Sequence, residues 1–300
     1  MGIFMKLLTK LIGIIAVLLS LHANAKVLIF DLNGVLIEKS SMKIGWQLST
    51  LDLISYSISA PTSKADLEKR YREFLNLMAS KDPENLRGKF QGEQLPYIMN
   101  EWLRGKKTAQ DVIDFMNKFI KDYEPFFLSK TEISIVKQIN DLMLPSKLVK
   151  IMAPIQPMLK LVQECSKMVD KDGKPLHDLF IISNWDKESF DLVKQQHAKV
   201  FASFKPEQII ISGHVNLIKP EAELFEYVIK KFKLNAKDCI FIDDQIENTQ
   251  AAEKLGITGV HHKNADDTRE QLTKLGIFNK TDDTVKKPSQ HNEPPKQNKK

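Results

Sequence analysis

Cysteine is scarce in this sequence, because only Cys165 and Cys239 occur in 300 residues. Two cysteines cannot build the dense disulfide framework of small secreted domains, so that class of protein is excluded. The pair could form one disulfide, but two buried thiols are the interpretation we favour. With 42% hydrophobic and 27% charged residues, the chain has the ordinary composition of a protein that folds around a hydrophobic core.

The central part of the chain also lacks an excess of charge of either sign. The formal net charge is +6, but residues 1–25 hold two lysines and no acidic residue, and residues 279–300 hold a net three positive charges. Residues 26–278 are therefore close to neutral. Because a nucleic-acid-binding surface needs clustered Lys and Arg on a folded face, we predict no nucleic-acid partner.

Long apolar runs are absent except near the N terminus. Leu11–Leu21 is apolar apart from small residues, follows two lysines and precedes Ala23-Asn24-Ala25. This pattern is typical of a secretory signal peptide over residues 1–25 that is cut after Ala25. An uncleaved membrane anchor is the alternative, but the run is shorter than the ~20 residues that span a bilayer. We therefore expect an exported protein, periplasmic or secreted, with no stable membrane span after cleavage.

Hydrophobic periodicity separates a helical segment from two sheet-forming segments. Residues 26–39 contain one buried strand, and residues 40–150 have apolar residues at helical spacing throughout. Residues 151–278 alternate helices with strands that are apolar on both faces, which predicts a parallel sheet covered by helices. Residues 279–300, rich in Lys and Pro, are predicted to be a disordered tail. The fold class is therefore α/β, a doubly wound, Rossmann-like parallel sheet with an inserted all-helical cap.

Local patterns place the elements more closely. Thr108 and Ser129 precede two helices of the insertion, and Ser129–Glu132 is a full capping-box pattern. The elements predicted after residue 152 are helices over 157–168, 187–197, 221–232 and 248–255, and strands over 179–182, 209–211 and 239–242.

Chemically capable side chains follow the predicted strands. Asp31 follows the first strand, Ser183 the second, Lys219 lies after the third, and Asp243 and Asp244 follow the fourth. Because doubly wound sheets bind ligands beyond the carboxyl ends of their strands, we expect these side chains to share one site.

The order of these motifs resembles the haloacid dehalogenase superfamily, and specifically its capped subfamily I, whose members mostly hydrolyse phosphate esters. The matching stretches are FDLNGVL at 30–36, IISN at 181–184, SGHVNLIKPE at 212–221 and FIDDQIEN at 241–248. The resemblance covers residues 27–37 and about 150–262, and the helical segment lies where this branch carries its cap.

The resemblance implies a mechanism for cleaving a small phosphorylated metabolite. Asp31 would attack phosphorus and form an aspartyl-phosphate. Mg²⁺ would be held by the Asp31 carboxylate, the Asn33 backbone carbonyl and Asp244, with Asp243 as a supporting or alternate ligand. The chain would then be a magnesium-dependent phosphoric monoester hydrolase.

The resemblance also implies how the phosphate is held. Ser183 and backbone N–H groups near Leu32 and Asn184 would hydrogen-bond the phosphoryl oxygens, and Lys219 would supply a fixed cation. Asn248 would orient either the water shell of the metal or Lys219.

One position departs from the family pattern. The phosphatases usually carry a second Asp two residues after the nucleophile, where it protonates the leaving oxygen, and here Asn33 takes its place. Three hypotheses therefore stay open: a magnesium-dependent phosphatase, a binding protein without turnover, and a metal-independent haloacid dehalogenase. The intact Asp243-Asp244 pair favours the metal-dependent reading over the dehalogenase.

Contacts to the rest of the substrate are harder to predict. The candidates are Trp46, Trp102, Trp185, His214 and Arg104, although burial in a core is the more common use of Trp. His261 and His262 form at best a weak metal-binding pair. The sequence does not indicate whether the protein is a monomer or an oligomer.

Overall fold

The computed structural model describes residues 25–59, 64–81, 89–90 and 93–279. The predicted signal peptide, apart from Ala25, and the predicted tail, apart from Asn279, lie outside these residues. In the part of the chain that is described, no helix is long and apolar enough to cross a membrane.

A five-stranded sheet forms the centre of the molecule. Its strands are β1 (Val27–Phe30), β6 (Asp178–Ser183), β7 (Ile209–Ile211), β8 (Cys239–Asp243) and β9 (Thr258–His261). They are ordered β7-β6-β1-β8-β9, and every neighbouring pair is parallel. The predicted α/β fold with a doubly wound parallel sheet is confirmed. The edge strand β9 was not predicted, because its residues Thr, Gly, Val and His make no continuous apolar run.

Two hydrophobic clusters cover the two faces of this sheet. Along β1, Leu28 and Phe30 enter one cluster and Ile29 enters the other. The same alternation holds on β8, where Ile240 and Ile242 lie opposite Phe241. Because successive side chains of a strand point to opposite faces, a strand buried on both sides must be apolar at every position. The sheet is therefore the middle layer of three.

Helices form the outer layers and the insertion. Those of the insertion are α1 (Ser41–Gln47), α2 (Thr50–Ser59), α3 (Lys64–Lys81), α4 (Tyr97–Leu103), α5 (Ala109–Asp122), α6 (Lys130–Asp141) and α7 (Pro145–Ile151). Those around the sheet are α8 (Gln156–Lys167), α9 (Lys187–Gln196), α10 (Ala198–Phe201), α11 (Ser212–Val215), α12 (Ala222–Phe232), α13 (Ile246–Glu253) and α14 (Ala265–Lys274). The helices and strands predicted after residue 152 agree with the observed ones within two residues at each end, but α14 was not predicted.

The insertion has a hydrophobic core of its own. Phe74 on α3, Met116 on α5 and Val136 on α6 are buried in one cluster that is separate from both sheet clusters. The segment is not helical throughout, since the two-residue strands β3 (Lys89–Phe90) and β4 (Glu93–Gln94) pair with each other. We refer to residues 40–144 as the cap.

Capping explains where two of the cap helices begin. Thr108 forms a reciprocal capping box with Asp111 at the start of α5. At the start of α6, Ser129 accepts a hydrogen bond from the backbone N–H of Glu132, but the box is incomplete. Glu132 instead accepts from the Leu128 backbone N–H and from Arg70 of α3, at 2.5 and 2.8 Å. A buried carboxylate next to an arginine gains more from that ion pair than from the end of its own helix.

Two short strands join the cap to the sheet domain. Strand β2 (Ile37–Lys39) leads into the cap and β5 (Met152–Pro154) leads out of it, and the two pair antiparallel. Helix α7, which lies inside the predicted cap boundary of 150, buries Leu148 and Val149 in a sheet cluster. It therefore belongs with the sheet domain in its packing.

Both cysteines are free and buried, which confirms the expectation of two thiols. Burial raises the pKa of Cys165 to about 12 and that of Cys239 to about 11. Neither sulfur is a ready nucleophile or metal ligand, because only the thiolate has that reactivity.

Candidate active site

Asp31 and Lys219 form a buried ion pair at the carboxyl edge of the sheet. Asp31 directly follows β1, and its backbone N–H donates to the Ile242 carbonyl at 2.8 Å, which continues the sheet by one residue. Its Oδ1 lies 2.7 Å from Lys219 Nζ, and both residues are 3% exposed. The nucleophile and the cation predicted from the sequence are thus in contact.

Lys219 reaches this position because Asn184 holds its backbone. The side-chain oxygen of Asn184 accepts from the Lys219 N–H, and its side-chain nitrogen donates to the Lys219 carbonyl, both at 2.8 Å. The side chain of Asn184, a predicted phosphate contact, is therefore occupied in positioning Lys219.

Asp243 is the second partner of Lys219, with Oδ2 2.6 Å from Nζ. Its Oδ1 accepts from the Gln245 backbone N–H at 2.8 Å, and Asn248 donates to both carboxylate oxygens, at 3.0 and 3.1 Å. Asn248 contacts Asp243 and does not contact Lys219 directly, so any effect of Asn248 on the orientation of Lys219 passes through Asp243. Asp243 is a fully hydrogen-bonded carboxylate that fixes the cation.

Asp244 has a freer carboxylate. Its Oδ1 is buried and has no hydrogen-bond partner among the described residues. Gly34 faces this carboxylate so closely that a Cβ on Gly34 would lie 2.4 Å from Asp244 Oδ2. Gly34 has φ +87°, a conformation that glycine adopts without strain. The Asn-Gly turn after β1 therefore leaves space for Asp244.

The three carboxylates form an electrostatically strained group. The pKa of Asp31 is raised to about 6, chiefly by burial and also by the charge of Asp243, against the opposing effects of Lys219 and the Ser183 hydroxyl. Burial, followed by the charges of Asp31 and Asp243, raises the pKa of Asp244 to about 7. One ammonium group does not balance three carboxylates in a buried site.

A divalent cation fits this group of residues. One carboxylate oxygen each from Asp31, Asp243 and Asp244 lies within 4.8 Å of the others. Hard cations such as Mg²⁺ take oxygen ligands and are commonly held through one or two carboxylates. The unpartnered Oδ1 of Asp244 and the excess negative charge are the features that a bound Mg²⁺ would satisfy.

Hydrogen-bond donors surround the same point. Ser183 ends β6, is 1% exposed, and its buried hydroxyl has no hydrogen-bond partner among the described residues. The backbone N–H groups of Leu32 and Asn184 donate to no other described residue. Free N–H groups at strand ends are the donors that anionic oxygens bind.

Asn33 and the Asp31–Lys219 pair line a common cavity between the sheet and the cap. Asn33 is half-buried, and its backbone bridges to Ile37 at the start of β2. The amide that replaces the usual Asp is therefore at the site itself. Lys39 at the end of β2 also lines this cavity, and it is an exposed residue. The sequence offered no signal for Lys39.

The candidate substrate contacts divide into residues that line the cavity and residues that do not. Trp102 and Trp185 line the cavity, whereas Trp46 is 74% exposed on the outside of the cap. His214 lies on α11 with Nε2 3.6 Å from Asp191 Oδ1, and it is not among the lining residues. Arg104 forms an ion pair with Glu221 and donates to the Asn216 carbonyl at 3.3 Å. It joins the cap to the loop that carries Lys219.

The two adjacent histidines do not form a pair. His261, at the end of β9, donates from Nε2 to the Asp244 carbonyl at 3.1 Å. His262 hydrogen-bonds through Nδ1 with the Thr268 hydroxyl at 2.7 Å. Each ring is used to hold the backbone or a helix near the site.

A family model described as haloacid dehalogenase-like hydrolase matches residues 25–256, which is most of the chain and includes Asp31, Lys219 and the Asp243-Asp244 pair. The chain belongs to the haloacid dehalogenase-like hydrolases. The family resemblance seen in the four motifs is confirmed at this level.

Similar proteins match over shorter stretches. The chain is 38% identical over 53 residues to Sesquiterpene phosphatase astK of Aspergillus oryzae, which is 18% of this chain and 27% of that protein. It is 35% identical over 69 residues to Drimenol cyclase drtB of Aspergillus calidoustus, or 23% of this chain and 13% of that protein. The matched segments thus span about a quarter or less of these relatives.

Among solved structures, the chain is similar to the HAD family enzyme bt-2542 of Bacteroides thetaiotaomicron. The TM-score is 0.49 at 18% identity, over 83% of this chain and 98% of that one. That enzyme has also been crystallised with magnesium and inorganic phosphate.

Proposed function

We propose that this chain is a magnesium-dependent phosphatase that hydrolyses a phosphate monoester through an aspartyl-phosphate on Asp31. The observation that carries the proposal is the group of Asp31, Asp243 and Asp244, whose oxygens lie within 4.8 Å of one another beside Lys219. A carboxylate nucleophile, a fixed cation and a place for a divalent cation are the parts that phosphoryl transfer needs. The relative that is named a phosphatase supports this reaction type.

Asp31 carries the covalent step. One of its oxygens attacks phosphorus while the bond from phosphorus to the alcohol oxygen breaks, which leaves an acyl phosphate and an alkoxide. Water then attacks the acyl phosphate and releases inorganic phosphate and the Asp31 carboxylate. With its pKa raised to about 6, Asp31 is mainly ionised at pH 7, as a nucleophile must be.

Charge is the main obstacle, because a carboxylate has to approach a phosphate dianion. Lys219, Ser183 and the free N–H groups of Leu32 and Asn184 are the donors available to the phosphoryl oxygens. Mg²⁺, when held by Asp31, Asp244 and the Asn33 carbonyl, would neutralise part of this charge and polarise the phosphoryl group.

The leaving oxygen receives no proton from residue 33. The Asn33 amide has no acidic proton at neutral pH, so the alkoxide takes its proton from water. We therefore expect turnover to depend strongly on the leaving group, with phenolic esters cleaved faster than alkyl esters.

The decisive experiment is hydrolysis of p-nitrophenyl phosphate with and without Mg²⁺, for the wild-type chain and for Asp31→Asn. Nitrophenolate needs little protonation, so the missing acid does not mask activity. We expect Mg²⁺-dependent turnover that is lost in Asp31→Asn, with an unchanged melting temperature. Turnover that survives Asp31→Asn would remove the proposed nucleophile.

Asn33→Asp tests the missing acid. We expect this variant to raise turnover most on alkyl phosphates, whose alkoxides need a proton. An equal gain on p-nitrophenyl phosphate would contradict an acid role at this position.

A binding protein without turnover is the second candidate, and Asn33 is the observation that favours it. It predicts that Mg²⁺ and phosphate bind in calorimetry while neither p-nitrophenyl phosphate nor an alkyl phosphate is hydrolysed.

The third candidate, a metal-independent dehalogenase, predicts chloroacetate hydrolysis that is unaffected by EDTA. The group of three carboxylates disfavours this candidate, because dehalogenase chemistry needs no metal.

We also propose that the protein is exported after cleavage behind Ala25, on the support of the N-terminal sequence pattern. N-terminal sequencing of protein recovered outside the cytoplasm should begin at Lys26. Recovery of the intact N terminus in the cytoplasmic fraction would contradict this proposal.

A further inference from the structure

The cavity at the site is far larger than a phosphate group. It has a volume of about 730 Å³ and extends from Asp31 and Lys219 at the sheet edge into the cap. This size is typical of pockets that enclose most of a drug-sized ligand, for which about 300–1,000 Å³ is usual. The alcohol part of the phosphate ester would therefore occupy the space inside the cap.

Two cap helices each present one face to this space. On α1 the lining residues are Ser41, Ile44 and Gly45, with Leu48 directly after the helix. These positions follow the helical repeat, so they share one face. The opposite face of α1 carries Met42 and Trp46, which are 66% and 74% exposed.

Helix α3 and its neighbours contribute a wall that is mainly aliphatic. From α3 the lining includes Leu67 and Leu75. The facing side chains include Leu95, Met99, Leu142 and Met143. Uncharged polar groups are few on this wall, with Asn76 of α3 among them. The walls are thus mainly apolar, whereas the end of the cavity at Asp31 is charged.

The charged and aromatic polar groups of the cap wall are already paired. Glu68 accepts from Arg72 at 3.0 Å, and the Tyr71 hydroxyl donates to Asn140 at 2.9 Å. Lys39 forms no ion pair with any residue that the structure describes. It is an exposed residue that lines the same cavity as Asp31 and Lys219.

These walls discriminate between two classes of alcohol. A polyhydroxylated alcohol would leave hydroxyl groups without partners against leucine and methionine, which is costly in a buried site. A hydrocarbon group of the same volume would gain by leaving water.

We propose that the site selects phosphate monoesters of large apolar alcohols, such as long-chain or branched hydrocarbon alcohols, with the phosphate at Lys219 and the hydrocarbon between α1 and α3. Turnover of such esters rests on the phosphatase function proposed above, but their selective binding does not.

Binding of non-hydrolysable alkyl phosphonates to the wild-type chain separates the two claims. Calorimetry with Mg²⁺ present would compare methyl-, butyl- and octylphosphonate with the polar ligand glycerol phosphate. We expect affinity to rise by up to about fourfold per added methylene until the cavity is full. Affinity that does not change with chain length, or glycerol phosphate as the tightest ligand, would overturn the proposal.

Gly45→Leu fills the cavity from its wall. A Cβ on Gly45 meets no heavy atom within 4 Å, and leucine favours the helix more than glycine does, so we expect the variant to fold. Octylphosphonate should bind at least tenfold more weakly to it, and methylphosphonate within twofold of wild type. Trp46→Leu, on the exposed face of the same helix, is the matched control and should change neither affinity.

Leu75→Asn provides a second variant from α3, which places an amide of the same branched shape in the aliphatic wall. It should weaken octylphosphonate binding with little effect on methylphosphonate. Equal binding of octylphosphonate to wild type, Gly45→Leu and Leu75→Asn would place the hydrocarbon elsewhere and overturn the proposal. Chain-length-dependent binding with no hydrolysis of p-nitrophenyl phosphate would instead contradict only the phosphatase function.

Discussion

Asn184 hydrogen-bonds both backbone polar groups of Lys219, the N–H and the carbonyl, each at 2.8 Å. This pairing connects the end of β6 to the loop after α11, two segments that are 35 residues apart. It fixes where Lys219 leaves the backbone, so that Nζ lies between Asp31 and Asp243. The cation of the site is thus held at its base as well as at its tip.

Asn184→Ala should reduce turnover of p-nitrophenyl phosphate by roughly tenfold or more, because Lys219 loses its support. The unpaired backbone groups should also lower the free energy of unfolding by about 1–3 kcal/mol. Asn184→Asp keeps the acceptor but turns a carboxylate oxygen toward the Lys219 carbonyl, so it should not restore wild-type turnover. Wild-type kcat in Asn184→Ala, measured beside thermal unfolding, would show that the pairing does not position Lys219.

Asp244→Asn should separate metal binding from stability. We expect the Mg²⁺ concentration for half-maximal turnover to rise by roughly tenfold or more. Unfolding of the metal-free variant should occur at a higher temperature than that of wild type, because burial and the charges of Asp31 and Asp243 disfavour the ionised Asp244. Asp172→Asn, in an exposed turn, is the control. Lower metal-free stability in Asp244→Asn would contradict the repulsion inferred here.

Gly34→Ala should abolish Mg²⁺-dependent turnover, because its Cβ would lie 2.4 Å from Asp244 Oδ2. Gly173 offers a matched control, since its φ of +76° is similar but a Cβ there meets nothing within 4 Å. Both variants should lose roughly 1 kcal/mol of stability from backbone strain. Only Gly34→Ala should lose activity, and comparable activity in the two variants would argue against the close approach.

Glu221→Gln should loosen the cap. Arg104 of the cap forms an ion pair with Glu221, which lies two residues after Lys219, and each side chain is 15% exposed. We expect KM to rise by roughly threefold to tenfold with a smaller change in kcat, because a charge-assisted hydrogen bond between the two domains is weakened. Glu270→Gln removes an exposed partner of Lys274 and should change neither constant. A fall in kcat alone would point to a role in chemistry.

The sheet was predictable because its strands are buried on both faces. A run such as Ile240–Ile242 is apolar at every position and can be recognised without tertiary information. Strand β9 and helix α14 lack that signal, since β9 is a short edge strand and α14 buries only Thr268 and Leu272. Their positions depend on neighbours that the local sequence does not show.

The residues at the strand ends were predictable for the same reason, because parallel strands end at a common edge. The contacts of those residues were not predictable. Asn184 and Asn248 have side chains that could bind ligand or protein, and only the folded arrangement assigns them to Lys219 and Asp243. Lys39 and the face of α1 at Gly45 carried no chemical motif, so the cavity emerges only when the cap is placed over the sheet.

The two chain segments that connect the cap to the sheet domain, β2 and β5, pair as one two-stranded ribbon. Two separate connections would let the cap shift in several directions, whereas a ribbon favours rotation about one axis. Lys39 lies at the cap end of this ribbon and Asn33 bridges to its first residue, Ile37. Opening of the cap would therefore move the apolar walls as one body while Asp31 and Asn33 stay with the sheet.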